Sequence, residues 1–175
     1  MFALVLACMF GLAAYYALVT HFAFAGSARD ILAVHFAAVP ARPSEALSIW
    51  LHNSRVVLGV AGCAALSGVV RAVAPDGLRM VERIPLWASD AILCVWAAGV
   101  SFASGVLMGA YGTEQLRAFW PYAPVEVTAW ALLLALYINV RQGRDGWRQT
   151  ACGLVAVEVL LALAAILEAL GKGWL

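Results

Sequence analysis

The chain has 175 residues, of which 65% are hydrophobic and only 12% charged, with a formal net charge of +1. Soluble domains run at about 45–50% apolar and about 25% charged, so this composition excludes an ordinary soluble globule and, equally, a disordered chain. The near-neutral balance leaves no basic field for nucleic acid, and the polar remainder is too small for a separate soluble domain.

The expected fold class is therefore all-α: a polytopic transmembrane helical bundle of about five spans, forming one integral membrane domain over residues 1–175 with the lipid bilayer as its solvent. The long runs are continuous and rich in Ala and Leu, not alternating, which speaks against membrane strands. Backbone polar groups in lipid must be satisfied within their own segment, which leaves helices.

The first span covers about residues 2–26 and carries no charge, with Thr20 and His21 near its far end. Ala23-Phe24-Ala25 looks like a small-residue cleavage site, but no basic segment precedes the run and the run is longer than a signal-peptide core. An uncleaved span is expected. Residues 28–39 place Arg29, Asp30 and His35 among Ile31, Leu32 and Val34. That stretch is too short to cross and reads either as an amphipathic helix lying in the interface or as a packed loop.

The second span, about 51–73, is headed by His52, Asn53 and Arg55, and Pro75-Asp76-Gly77 closes it. The third, about 86–111, carries Asp90 just after Ser89, which reads most simply as a helix start. Gly105 and Gly109 form a GxxxG pair on this span, with Ser101 and Ser104 nearby. Small residues let helix backbones approach closely, so this face is a packing seam, either within one subunit or between the two copies of a homodimer. The fourth span, about 125–140, opens with Glu126 after Pro121 and Pro124, and residues 142–146 form a turn. The fifth, about 151–170, holds Glu158 inside and Glu168 near its end.

Arg71, Arg79, Arg83, Arg141, Arg144 and Arg148 gather on one side of this trace, and Arg29, Arg42, Arg55, Arg117 and Lys172 on the other. The positive-inside bias then puts the amino terminus in the cytoplasm and the segments 27–50 and 112–124 on the outer face. Trp87, Trp120, Trp130, Trp147, Trp174 and Tyr137 read as an aromatic belt at the membrane boundaries. Cys8, Cys63, Cys94 and Cys152 sit on separate spans without a CxxC spacing and read as buried packing thiols.

An ionisable side chain in hydrocarbon costs on the order of 2.5–3.5 kcal/mol, so each one asks for a reason. In an antiparallel trace the heads of the second and fourth spans share the outer face, where His52, Asn53 and Arg55 can approach Glu126. A carboxylate there suits acid–base work, imidazole suits proton transfer or metal binding, and Asn53 can orient or polarise a carbonyl. The structural alternative is equally physical: Glu126 stabilises the first turn of its helix, or a Glu–Arg or Glu–His bridge ties two helices. Tyr122, Asp90 and His21 are further candidates for binding. Glu158 should face protein, with no partner legible. No HExxH, GxSxG or P-loop pattern is present and no cofactor is expected. A divalent metal such as zinc would need a set assembled from His21, His35, His52 and carboxylates on separate segments, with His52 and Glu126 its first members.

The sequence resembles the stage II sporulation protein M family of bacterial integral membrane proteins over about residues 45–170. The family's Asn-Asn pair at the head of an early span corresponds to His52-Asn53, followed by Arg55, and its Asn-Gly step to Ser89-Asp90-Ala91. Its Pro-His-Gly-x-x-Glu stretch is similar to Pro121-Tyr122-Ala123-Pro124-Val125-Glu126, and its basic, glycine-containing finish to Asn139-Val140-Arg141-Gln142-Gly143. Tyr122, Ala123 and Asp90 depart from the family's histidine, glycine and asparagine. His52 would then replace at one helix head the imidazole lost at the other, provided that the two heads touch. The resemblance implies a bacterial inner-membrane scaffold or accessory subunit working with a membrane-protein partner. An intramembrane leader peptidase for an exported peptide or natural-product precursor stands beside it, with Glu126 activating water, Asn53 orienting the carbonyl and His52 moving protons or holding a metal. A small-solute transporter subunit is a further reading and would need a continuous polar path.

Overall fold

The computed structural model describes residues 2–32, 43–73, 80–112, 117 and 119–171. Helix α1 (Phe2–Val19) runs through a π-helical turn, Thr20–Phe24, directly into α2 (Ala25–Leu32). Then follow α3 (Pro43–Val73), α4 (Met80–Tyr111), α5 (Ala123–Arg141) and α6 (Trp147–Gly171), and the described residues contain no strand. Five helical stretches are long and apolar enough to cross a membrane: Phe2–Leu32, Pro43–Val73, Arg83–Tyr111, Ala123–Arg141 and Trp147–Leu170. The chain is a multi-pass helical membrane protein.

Several boundaries differ from those read off the sequence. Residues 25–32 do not form a separate interfacial helix; they extend the first span as α2, and 33–39 lie outside the described residues. Helix α3 begins at Pro43, eight residues before the apolar run, because proline is suited to a first helical turn and Glu45 there complements the helix dipole. Helix α4 begins at Met80 and passes through Pro85, whose carbonyl also accepts a hydrogen bond from Ser89 Oγ at 3.0 Å. Asp90 is consequently well inside the helix rather than at its start.

The shortest span, α5, is the most enclosed. It packs against α1, α3 and α6, and its Trp130 ring meets Trp96 of α4 edge to face at 5.1 Å. Ala129, Trp130, Ala131 and Leu133 to Tyr137 are all buried. A helix that is apolar all round finds its best place where protein surrounds it. Trp130 and Tyr137 are thus core residues and not part of the belt, whereas Trp87, Trp120 and Trp147 are exposed as boundary residues would be. The outer surface is apolar, with Phe22 81% and Val95 73% exposed, while Thr20, Asn53, Ser67, Ser89 and Ser101 are buried. This inverts the soluble pattern and follows from lipid outside and hydrogen-bond partners inside. Cys8, Cys94 and Cys152 lie on that outer surface instead of in the core, and only Cys63 is half-buried.

The GxxxG seam lies within the chain. A Cβ on Gly105 would collide with the Ala13 carbonyl and come within 2.7 Å of Tyr16 Cβ. One on Gly109 would collide with the Ala17 carbonyl and come within 2.7 Å of Thr20 Cβ. Helices α1 and α4 therefore run parallel in backbone contact, and this face is already occupied in a single copy.

At its far end α5 closes in a Schellman motif. Gly143 adopts φ +71°, its N–H bonds the Val140 carbonyl at 3.0 Å, and the Arg144 N–H bonds the Asn139 carbonyl at 2.9 Å.

Candidate functional site

Helices α3 and α5 run parallel, and each puts polar side chains towards the other at matching heights. The starts of α3 and α5 and the end of α6 lie at one face of the bundle, called here the Tyr122 face. The ends of α3 and α5 and the start of α6 lie at the opposite, Gly143 face.

Near the Tyr122 face, Glu126 sits in the first turn of α5, where Tyr122 supplies the first carbonyl of the helix to the Glu126 N–H at 3.0 Å. Glu126 Oε1 accepts from Asn53 Nδ2 at 3.4 Å and from Trp130 Nε1 at 3.3 Å. Both bonds are longer than the usual 2.7–3.2 Å range and therefore weak. Glu168 of α6 acts electrostatically on Glu126 and on Tyr122. Tyr122 is buried against the Phe119 ring, whose centroid is 5.3 Å away. Burial first, then the charges of Glu168 and Glu126, push the Tyr122 phenol above its ordinary range, so it stays protonated as a hydroxyl.

Deeper in the bundle lies the partner of Glu158. Trp50 and Ser54, one helical turn apart on α3, both donate to Glu158 Oε2, at 2.9 Å from Nε1 and 2.8 Å from Oγ. These are short, well-formed bonds that tie α3 to α6.

Towards the Gly143 face, Asp90 Oδ1 accepts from the Tyr137 hydroxyl at 2.6 Å, and Oδ2 pairs with Arg141 Nη2 at 3.2 Å. Ser67 of α3, buried near this pair, donates to the Cys63 carbonyl at 2.9 Å. Asp90 thus ties α4 to α5 instead of starting α4. Between Ser54 and Ser67, α3 contributes Val57, Val60 and Ala64 to a core shared with Leu133, Val157 and Leu161. This packed apolar layer separates the carboxylates of one face from those of the other.

Of the residues singled out from sequence, Asn53, Glu126 and Tyr122 come together. His52 and Arg55 do not join them: both are exposed, and neither makes a hydrogen bond or ion pair with the described residues. The side chain facing Glu126 is that of Asn53, the next residue round the helix. His21 is exposed in the π-helical turn, with its ring 5.1 Å from that of Phe22. No three His, Cys, Asp or Glu side chains gather to hold a metal among the described residues, so a zinc set beginning with His52 and Glu126 is not assembled there; His35 lies outside them.

Trp50, Ser54, Ser67 and Arg141 were not legible as site residues. The usable signal for the first two was their i, i+4 spacing on one helix opposite an intramembrane glutamate.

No protein-family model, curated protein or solved structure matches this chain.

Proposed function

We propose that this protein is a scaffold or accessory subunit of a membrane complex, in a bacterial inner membrane with its amino terminus in the cytoplasm. One observation carries the reading: Glu158 and Asp90 accept close hydrogen bonds from a neighbouring helix and Glu126 a weaker one from Asn53, so the interior carboxylates serve as ties between helices. The resemblance to the stage II sporulation protein M family favours the same role. The apolar layer around Val57, Val60 and Leu133 weighs against a transported solute, which needs a continuous polar path.

The peptidase reading keeps a specific support at the Tyr122 face, where Glu126 lies beside the Asn53 amide and within electrostatic reach of Glu168. It loses His52, which its chemistry had used for proton transfer.

Extraction from native membranes in mild detergent, followed by native gel analysis, separates the two. A scaffold migrates in an assembly well above its own 18.6 kDa, and Glu126→Gln leaves that assembly intact. Migration as a lone chain overturns the reading. Cleavage of an exported peptide at one bond, lost in Glu126→Gln, replaces it with the peptidase.

A further inference from the structure

At the Gly143 face the last turn of α3 meets the connection between α5 and α6. The Arg71 guanidinium lies directly against Gly143, in the space that any side chain at that position would fill. Arg144 follows Gly143, and Arg148 lies in the first turn of α6 with its guanidinium 5.7 Å from the centroid of the Trp147 ring. Arg71, Arg144 and Arg148 are all exposed and make no ion pair with the described residues.

Among the described residues no acid pairs with them. Asp145 accepts from Asn139 Nδ2 at 3.0 Å, and Asp90 is taken by Tyr137 and Arg141. Trp147, under the Arg148 guanidinium, is 78% exposed, an amphipathic ring of the kind that settles at headgroup level. Guanidinium is suited to bidentate contact with phosphate. Three such groups on the last turn of α3, the connection that follows α5 and the first turn of α6 with its boundary tryptophan, at the end of membrane spans, face the layer where lipid phosphates lie.

We propose that Arg71, Arg144 and Arg148, with Trp147, form a docking site for the phosphate headgroup of an anionic membrane lipid. The positive φ at Gly143 is part of the device. It ends α5 and, having no side chain, lets Arg71 lie across the turn that leads into Arg144. The site is independent of what the protein assembles with.

The test uses the full chain in nanodiscs of phosphatidylcholine with or without phosphatidylglycerol, read by lipid retention in native mass spectrometry. The wild-type protein should retain phosphatidylglycerol over phosphatidylcholine. Arg71→Gln, Arg144→Gln and Arg148→Gln should each reduce that preference by about fivefold, and the triple variant by tenfold or more. The triple lysine variant keeps the charge but not the bidentate fork and should recover part of it. Melting in phosphatidylcholine alone should be the same for all these variants, which separates lost binding from lost fold. Equal retention of both lipids by the wild type, or an undiminished preference in the triple glutamine variant, overturns the proposal. Displacement of the lipid by millimolar inorganic phosphate would assign the site to a soluble phosphate instead.

Discussion

The α1–α4 pair and the α3–α5–α6 group are held together by different physics. In the first, Gly105 and Gly109 bring two backbones into contact, the Tyr16 and Phe102 rings meet edge to face at 5.0 Å, and close packing joins the helices up to the π-helical turn, beyond which Arg29 donates to the Ala110 carbonyl. In the second, carboxylates on one helix accept hydrogen bonds from the next: Glu158 from Trp50 and Ser54, and Glu126 from Asn53. Close packing tolerates no added atom, whereas a hydrogen-bonded tie tolerates any substitute that keeps an acceptor. In lipid neither region gains from hydrophobic burial between helices, because the acyl chains are as apolar as the core.

The largest effect should come from the packed seam. Gly105→Leu drives a side chain into the Ala13 carbonyl and the Tyr16 Cβ, and should cost about 3 kcal/mol or more in SDS-titrated unfolding. A variant as stable as wild type would mean that the two backbones are not in contact. Next comes Glu158→Leu, which strands the Trp50 and Ser54 donors and should cost about 1–2 kcal/mol. Glu158→Gln keeps an acceptor oxygen and should cost under about 0.5 kcal/mol. Equal losses in these two variants would show that charge, rather than acceptance, is what the tie needs.

Asp90 sharpens the contrast, being the one carboxylate tie among the described residues made to a cation. Arg141 and Asp90 are 25% and 38% exposed at the side chain, so solvent screens the pair. Arg141→Gln should cost no more than about 1 kcal/mol, less than Glu158→Leu despite removing a formal charge. The smallest effect concerns alkaline pH. Folding raises the Tyr122 pKa, so this group's contribution is complete below about pH 10, the unfolded value, and declines as pH rises beyond it. Melting temperatures from pH 8 to 11 should fall less steeply at the alkaline end in Tyr122→Phe. An unchanged slope would show that Tyr122 ionises as freely folded as unfolded.

The helical class and the five apolar runs were legible because lipid imposes length and composition on each span separately. The site was legible only in part. Placing Glu126 and residues 52–55 at one face followed from the chain trace, but which of those side chains faces Glu126 depends on helix rotation. One residue is about 100° of turn, enough to exchange His52 for Asn53. Asp90 was misread because Met80–Leu86 carries charge and a proline, which disguised the true start of α4. Trp130 and Tyr137 were misread because a boundary aromatic and a core aromatic have the same composition.

Sequence by itself determined how many helices cross, roughly where each begins and ends, and that the few intramembrane acids must face protein. Each of these is a property of one segment against its solvent. The tertiary structure alone decided that the shortest span is the most enclosed, that Glu158 is held by Trp50 and Ser54, and that the GxxxG face is spent on α1. Those depend on the relative rotation and height of helices distant in sequence, which the solvent leaves open and the packing of side chains between helices selects.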